Sequence, residues 1–384
     1  MAIHQFAFPT TIHFGPGARR EVAAYLQAQG CRRPLIVTDK GIAALPLLAE
    51  FKSTLAGFAA EVYAGVWGNP VRSQVDAGVA AFKKHSADAV IGFGGGAALD
   101  VAKVVALMSN HPGSVLEYAW DHPQVRAIER DLPCFVALPT TAGTGSEVGR
   151  SSVISDDATH IKKIIFSPRL LAKAVFADPE LTLGLPPHVT AATGMDALTH
   201  NVESYIATGY HPMCDGIALE GVRIAARALP IAVREPQNLQ ARSDMLMASM
   251  MGAVAFQKDL GATHSCAHAL STVADLHHGL ANGIMIDYVM RFNQAAAAAR
   301  FAIMAQAVGV ANGSMEASAA AFVDWLTALK REVGIPAGLG AVKVTREHLP
   351  RLVDVAVDDI CHQTNPRPCA RADFERIFTA ALQQ

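Results

Sequence analysis

Of the 384 residues only 17% are charged, only three are tryptophan, and the six cysteines form no CxxC pair. Each shortage excludes something. A formal charge of −2 does not provide the basic surface that nucleic acid or an anionic bilayer demands. Cys31, Cys134, Cys214, Cys266, Cys361 and Cys369 are scattered along the chain, which suits reduced thiols in a cytoplasm rather than a disulfide scaffold. Long apolar runs are also missing. The alanine-rich stretch 295–311 is interrupted by Arg300 and Gln306, so it does not read as a membrane span. The opening MAIHQFAFPTTIHFGPG lacks the basic region and apolar segment of a secretory signal. The expectation is a soluble, cytoplasmic protein with no nucleic-acid or membrane partner.

What is present is material for a large core, since 51% of residues are hydrophobic, and a length that suits two domains. The low charge and alanine-rich helices leave apolar surface for a homo-oligomer, a dimer or larger, to cover. In the first half, strand-like runs alternate with helical patterns. PLIVTDKG (34–41), ADAVIGFGGG (87–96) and PCFVALPTT (133–141) read as strands; VRSQVDAGVAAFKKH (71–85) and AALDVAKVVALM (97–108) read as helices. Such alternation predicts a parallel sheet covered on both faces. After about Asp178 the strand signal fades, and helical periodicity runs from Thr190 to the end, punctuated by Pro212, Pro230, Pro236 and Gly313. The expected organisation is an α/β domain over 1–183 and an all-α domain over 184–384. A cleft between the two is the default active site.

IGFGGGAALDVAKVV (91–105) puts three glycines between a strand and a helix. Backbone there can approach a ligand closely, and a helix N-terminus offers free amides to a pyrophosphate. Asp39, at the end of an earlier strand, can accept hydrogen bonds from an adenosine ribose and repel a 2′-phosphate, which favours NAD over NADP. A third strand ends in PTTAGTGSEVGRSS (139–152), rich in hydroxyls and glycine. One dinucleotide lying across all three strand ends explains them better than three coincidental turns.

The second half holds a different concentration. Residues 261–283, GATHSCAHALSTVADLHHGLANG, contain His264, His268, His277 and His278. His264 and His268 stand at i and i+4, as do Asp196 and His200 in TAATGMDALTHNVESYI (190–206), so each pair shares a helical face. His278, followed by Gly279, reads as the end of the helix begun at His264. Three imidazoles and one carboxylate suit Fe²⁺ or Zn²⁺. Spacing leaves open whether His264 or His268 ligates, and whether His277 or His278 does.

These residues resemble the iron-containing (group III) alcohol dehydrogenase family along essentially the whole chain. The matching blocks include FGPGA (14–18), IVTDKG (36–41), GNP (68–70), GGGAALDVAK (94–103), PTTAGTGSEV (139–148), TGMDALTHNVESY (193–205), LGATHSCAHALS (260–271), HHGLANG (277–283) and NPRP (365–368). The resemblance implies a Rossmann-like N-terminal domain and a helical metal-binding domain, the architecture also used by dehydroquinate synthases. It assigns the metal to Asp196, His200, His264 and His278, with iron as the expected ion and zinc the other candidate. It assigns His268 to the reacting centre and leaves His277 without a role. By position it implies NAD(H) contacts at Asp39, Asn69, Gly95, Gly96, Ala97, Thr140, Thr141, Thr144, Ser146 and Lys162. Two departures stand out: Ala97 replaces a usual serine, and Gly149 stands where threonine is common. Gly149, Phe256, Leu260 and Cys361 are the candidate pocket residues.

The expected activity is hydride transfer between nicotinamide and a small alcohol, diol or hydroxy acid. A divalent ion makes a hydroxyl far more acidic, and His268, with an ordinary pKa near neutrality, is the candidate proton relay. A dehydroquinate-synthase-like lyase would need Lys or Arg around the metal, and 193–205 and 260–283 contain none. A metal-free reductase of the maleylacetate type would be expected to depart from the ligand set, which is intact here.

Overall fold

The computed structural model describes residues 8–383, in two compact units. One is built from Phe8–Thr141 and Gly145–Thr182. The other runs from Leu183 onward and also includes the short segment Ala142–Thr144.

In the first unit six strands form one parallel sheet: β1 (Thr11–Phe14), β2 (Pro34–Asp39), β3 (Glu61–Val66), β4 (Ala89–Gly94), β5 (Cys134–Pro139) and β8 (Ala174–Ala177). Their spatial order is β1-β8-β5-β4-β2-β3. The central strands are buried end to end, as β4 shows in AVIGFG, so they read as continuous apolar runs. The helices are α1 (Val22–Ala28), α2 (Lys40–Ala43), α3 (Pro46–Ser53), α4 (Arg72–His85) and α5 (Gly96–Met108). A two-stranded antiparallel sheet, β6 (Ser151–Ser155) with β7 (Lys162–Phe166), completes the unit. Register decides which strand ends meet. Val37 is level with Gly92, and Gly94 with Pro139, so β2, β4 and β5 finish side by side.

The second unit is helical: α6 (Pro187–Ile206), α7 (Pro212–Arg234), α8 (Leu239–Ala255), α9 (Ala262–Ala274), α10 (His278–Asn293), α11 (Ala298–Ala307), α12 (Met315–Glu332), α13 (Leu349–Asp358) and α14 (Arg371–Leu382). α6 is buried over nearly its whole length after Thr190. Its close packing depends on small residues. A Cβ on Gly194 would come within 2.3 Å of Leu229, and one on Gly279 within 2.5 Å of the Ala192 carbonyl. Pro230, expected to punctuate the helices, instead lies inside α7. Leu229 and Ala232 are fully buried on either side of it, and that packing carries the helix through the missing amide. Among the described residues, no helix is long and apolar enough to cross a membrane.

Candidate active site

The ends of β2, β4 and β5 gather the first group of expected residues. Asp39 closes β2, and its Oδ1 accepts the Ile42 amide at 2.8 Å, capping α2. Gly94, with φ of +156°, turns the chain from β4 toward α5; a Cβ there would sit 2.7 Å from Ala98 and 3.1 Å from Asp39 Oδ2. Only glycine fits that turn. Gly95 is the N-cap residue of α5 and supplies no side-chain cap. The first-turn amides, which include Gly96 and Ala97, therefore face outward for an acceptor. The Thr140 amide donates to the Gly94 carbonyl, and Thr141 packs where a Gly95 Cβ would point. These features fit a dinucleotide's pyrophosphate and ribose.

Other expected contacts are distributed differently. Asn69 precedes Pro70, whose carbonyl accepts the Ser155 amide; Ser155 pairs with Lys162 across β6 and β7, so the segments carrying Asn69 and Lys162 are linked through Ser155. Ser146 is turned inward. Its hydroxyl donates to Asp100 Oδ1 at 2.6 Å and accepts from the buried Lys103 ammonium at 2.8 Å. The Lys103 ammonium also donates to the Ser151 carbonyl, so this hydroxyl braces the loop. Gly149 is buried over the same ammonium, 3.7 Å from where its Cβ would be. Thr144 falls in the second unit with Ala142 and Gly143. There the Gly143 carbonyl accepts the Ser249 hydroxyl at 3.0 Å, and a Cβ on Gly143 would strike Thr193 of α6.

The second unit brings the expected metal ligands together. Asp196 and His200 share one face of α6, as their spacing requires, and donor atoms of Asp196, His200 and His264 lie within 4.8 Å of one another. His278 joins them, its Nε2 3.6 Å from Asp196 Oδ1. It does so from the start of α10, not from the end of α9. α9 stops at Asp275, which adopts a left-handed conformation, and His277 becomes the N-cap residue of α10, its Nδ1 accepting the Leu280 amide. The interruption aims His278 inward and gives its neighbour a capping role.

Two further residues organise the cluster, and neither was assigned from sequence. Glu203, fully buried one turn after His200, accepts the backbone amides of Gly261, Thr263 and His264 and the His264 ring at 2.7 Å. A carboxylate only accepts, so His264 donates from Nδ1 and its ring is oriented with Nε2 toward the cluster. Asn282, also buried, donates from Nδ2 to Asp196 Oδ1 at 2.7 Å, with His278 Nε2 at 3.2 Å and His264 Nε2 at 3.3 Å. Burial holds the His200 imidazole down to about 4; His264 adds to the effect, while Asp196, Glu203 and the Gly143 backbone oppose it without overcoming it. His200 is thus neutral near pH 7, the form that ligates. One amide group faces a carboxylate oxygen and two imidazole nitrogens, beside the neutral His200 ring. A divalent cation fits that donor set.

His268 lies on the next turn of α9 after His264, its ring stacked on His278 with centroids 5.2 Å apart. Its Nδ1 donates to Asp359 at 2.7 Å, and His268, Asp359 and Cys361 form a tight group. Burial and Asp359 raise the Cys361 thiol well above its ordinary range, so it is protonated at neutral pH. Phe256 packs its ring 5.3 Å from that of His200. Leu260 is half-buried, its carbonyl accepting the Thr364 hydroxyl. The structure therefore places Phe256 beside His200 and Cys361 beside His268, while Leu260 immediately precedes Gly261, whose amide donates to Glu203.

Comparison with known proteins identifies the family. The model of the iron-containing alcohol dehydrogenase family matches residues 9–179, and that of its C-terminal domain matches 190–382. The chain is 36% identical to a 4-hydroxybutyrate dehydrogenase of Cupriavidus necator, over 97% of this chain and 98% of the relative. It is 35% identical to a 1,3-propanediol dehydrogenase of Klebsiella pneumoniae, over 98% of each. A solved 1,3-propanediol oxidoreductase superposes with a TM-score of 0.95 at 34% identity, over 99% of this chain and 100% of the other. With both family models matched and the ligand cluster assembled on α6, α9 and α10, the chain belongs to the iron-containing alcohol dehydrogenase family.

Proposed function

We propose that the protein is a metal-dependent, NAD-linked alcohol dehydrogenase and aldehyde reductase acting on small aliphatic alcohols, diols or hydroxy acids. The observation that carries this reading is the convergence of Asp196, His264 and His278 on the Asn282 amide, with neutral His200 beside them. Asp196, His200, His264 and His278 would hold the cation, proposed to be iron, with zinc suiting the same donors. When bound, the cation supplies Lewis acidity toward a hydroxyl or carbonyl oxygen, and NAD(H) supplies the two-electron acceptor or donor.

The chain's own residues do the rest. Glu203 holds His264 in the ligating tautomer, and Asn282 steadies Asp196. Asp39, Asn69, Gly95, Gly96, Ala97, Thr140, Thr141, Thr144 and Lys162 are proposed to bind the dinucleotide, with Ser146 bracing its loop from behind. The Asp39 carboxylate disfavours a 2′-phosphate by like charge. His268 takes the hydroxyl proton during oxidation and returns it during reduction. The names of the relatives support a substrate with an oxygen function at a primary carbon, and the absence of Lys and Arg from 193–205 and 260–283 supports a neutral group at the cluster.

The test is elemental analysis of protein purified without added metal, paired with NADH production from a panel of primary alcohols, diols and 4-hydroxy acids. The expected outcome is a stoichiometric divalent ion and NAD-dependent turnover of several panel members. His200→Ala should lose the ion and nearly all turnover while retaining NADH binding. Normal turnover by that variant in metal-free buffer would reject the cluster as the catalytic centre.

A further inference from the structure

Asp359, grouped with His268 and Cys361, has so far been given no role in the reaction, yet both its oxygens are committed. Oδ1 accepts the Ser265 hydroxyl at 2.8 Å and the Cys361 amide at 2.9 Å, and Oδ2 accepts His268 Nδ1 at 2.7 Å. Ninety-one residues separate Asp359 from His268, so the fold and not the local chain makes this contact. The ring it holds stacks on His278 and lies edge-on to His264. Both Asp359 and His268 retain some exposure, with side chains 16% and 19% accessible, which leaves a route for a proton to solvent.

We propose that Asp359 is a positioning residue for the alcohol dehydrogenase reaction: it locks His268 in the tautomer with the proton on Nδ1 and leaves Nε2 as the acceptor for the substrate proton. The inference rests on the activity assigned under Proposed function. An ionised carboxylate has no proton to share, so the hydrogen in the 2.7 Å contact belongs to the imidazole. In the oxidation the hydroxyl O–H breaks and its proton goes to His268 Nε2. The carbinol C–H breaks with its electron pair passing to the oxidised nicotinamide, and the C=O bond forms. The imidazolium then releases its proton to water, so the products are carbonyl compound, NADH and one proton.

The geometry around Oδ1 makes one substitution diagnostic. Ser265 and the Cys361 amide both donate to that atom, so in Asp359→Asn the amide oxygen must take the Oδ1 place. The amide nitrogen is then forced into the Oδ2 place, where it donates to His268 Nδ1. That reverses the tautomer and puts the proton on Nε2, which can no longer accept. The variant preserves size and both Oδ1 hydrogen bonds, so the fold is retained.

The test uses the zinc-loaded, ¹⁵N-histidine-labelled protein at alkaline pH, where nitrogen shifts distinguish the two neutral tautomers. The wild type should show His268 with Nδ1–H, and Asp359→Asn should show Nε2–H. In parallel, kcat should fall by about 100-fold or more, the scale of a general acid–base group. The alcohol KM, NADH affinity and metal content should stay within about threefold. An unchanged tautomer or an unchanged kcat overturns the proposal, as does joint loss of metal or NADH binding, which would mark a merely structural role. A second metal equivalent present in the wild type and absent from the variant overturns it too, since His268, Asp359 and Cys361 would then be a cation site. His268→Gln separates the levels. If it keeps normal kcat, the proton role of His268 fails, whereas absence of alcohol turnover by the wild type rejects the activity itself and leaves the tautomer result standing.

Discussion

Asp39 and Glu203 each carry two duties, so the choice of substitution decides what is learned. At Asp39, Oδ1 caps α2 through the Ile42 amide, and the charge is the proposed barrier to a 2′-phosphate. Alanine removes both and costs about 1 kcal/mol for the lost cap. Asparagine keeps a cap of similar strength and removes only the charge. Asp39→Asn should raise the NADP-to-NAD ratio of kcat/KM by about tenfold, through removal of a like-charge contact, without lowering the melting temperature. An unchanged ratio would remove Asp39 from the ribose site. Glu203 is stricter, because both its oxygens accept N–H groups. In Glu203→Gln the amide nitrogen must face one of those donors. The expected cost is roughly 1–3 kcal/mol of stability and about 10- to 100-fold in metal affinity, read by unfolding and by competition with a chelator.

At the scale of elements, the cluster depends on a break that helical periodicity hides. The i,i+4 pairs Asp196/His200 and His264/His268 were legible because helix geometry alone sets which side chains share a face. The stretch ADLHHGLANG offers no proline or glycine before His278, so the helical pattern of α9 runs on in the sequence without a stop. Asp275 ends the helix by adopting the left-handed conformation that aspartate tolerates better than most residues. His277→Ala should therefore destabilise the start of α10 by about 1 kcal/mol and speed metal loss without changing the metal stoichiometry; His277→Ser, which restores a cap, should recover both. Among strands, the buried runs β2, β4 and β5 were visible in the sequence. β1 and β3 were not, because their exposed and half-buried positions dilute the apolar signal, and β8 has only four residues. Glu203 and Asp359 were illegible for another reason. Their partners lie 61 and 91 residues away, and only the packing of α6, α9 and α13 discloses them.

At the scale of the whole molecule, two buried ionisable groups, one in each unit, drive stability in opposite directions with pH. Burial lowers His200 from its ordinary 6.5 to about 4, so between those values the unfolded chain binds a proton that the folded chain refuses. Stability of the metal-free protein is then lost as pH falls through that window. Burial raises Glu147 from 4.5 to about 7, its own backbone amide and Lys103 only partly opposing. There the folded chain keeps a proton that the unfolded chain releases, and stability is lost as pH rises from 4.5 through 7. At about 1.4 kcal/mol per pH unit, each contribution is on the order of 3 kcal/mol, and between pH 4.5 and 6.5 they nearly cancel. Chemical unfolding of the metal-free protein across this range should show each effect once the other is removed. Glu147→Gln should leave a curve that climbs with pH toward 6.5, and His200→Gln one that declines from 4.5 toward 7. The glutamine at 147 should also make the protein more stable than the parent at about pH 8, where the parent buries a charge whose Oε1 has no hydrogen-bond partner. Parallel curves for the parent and both variants would mean that neither group changes its protonation on folding.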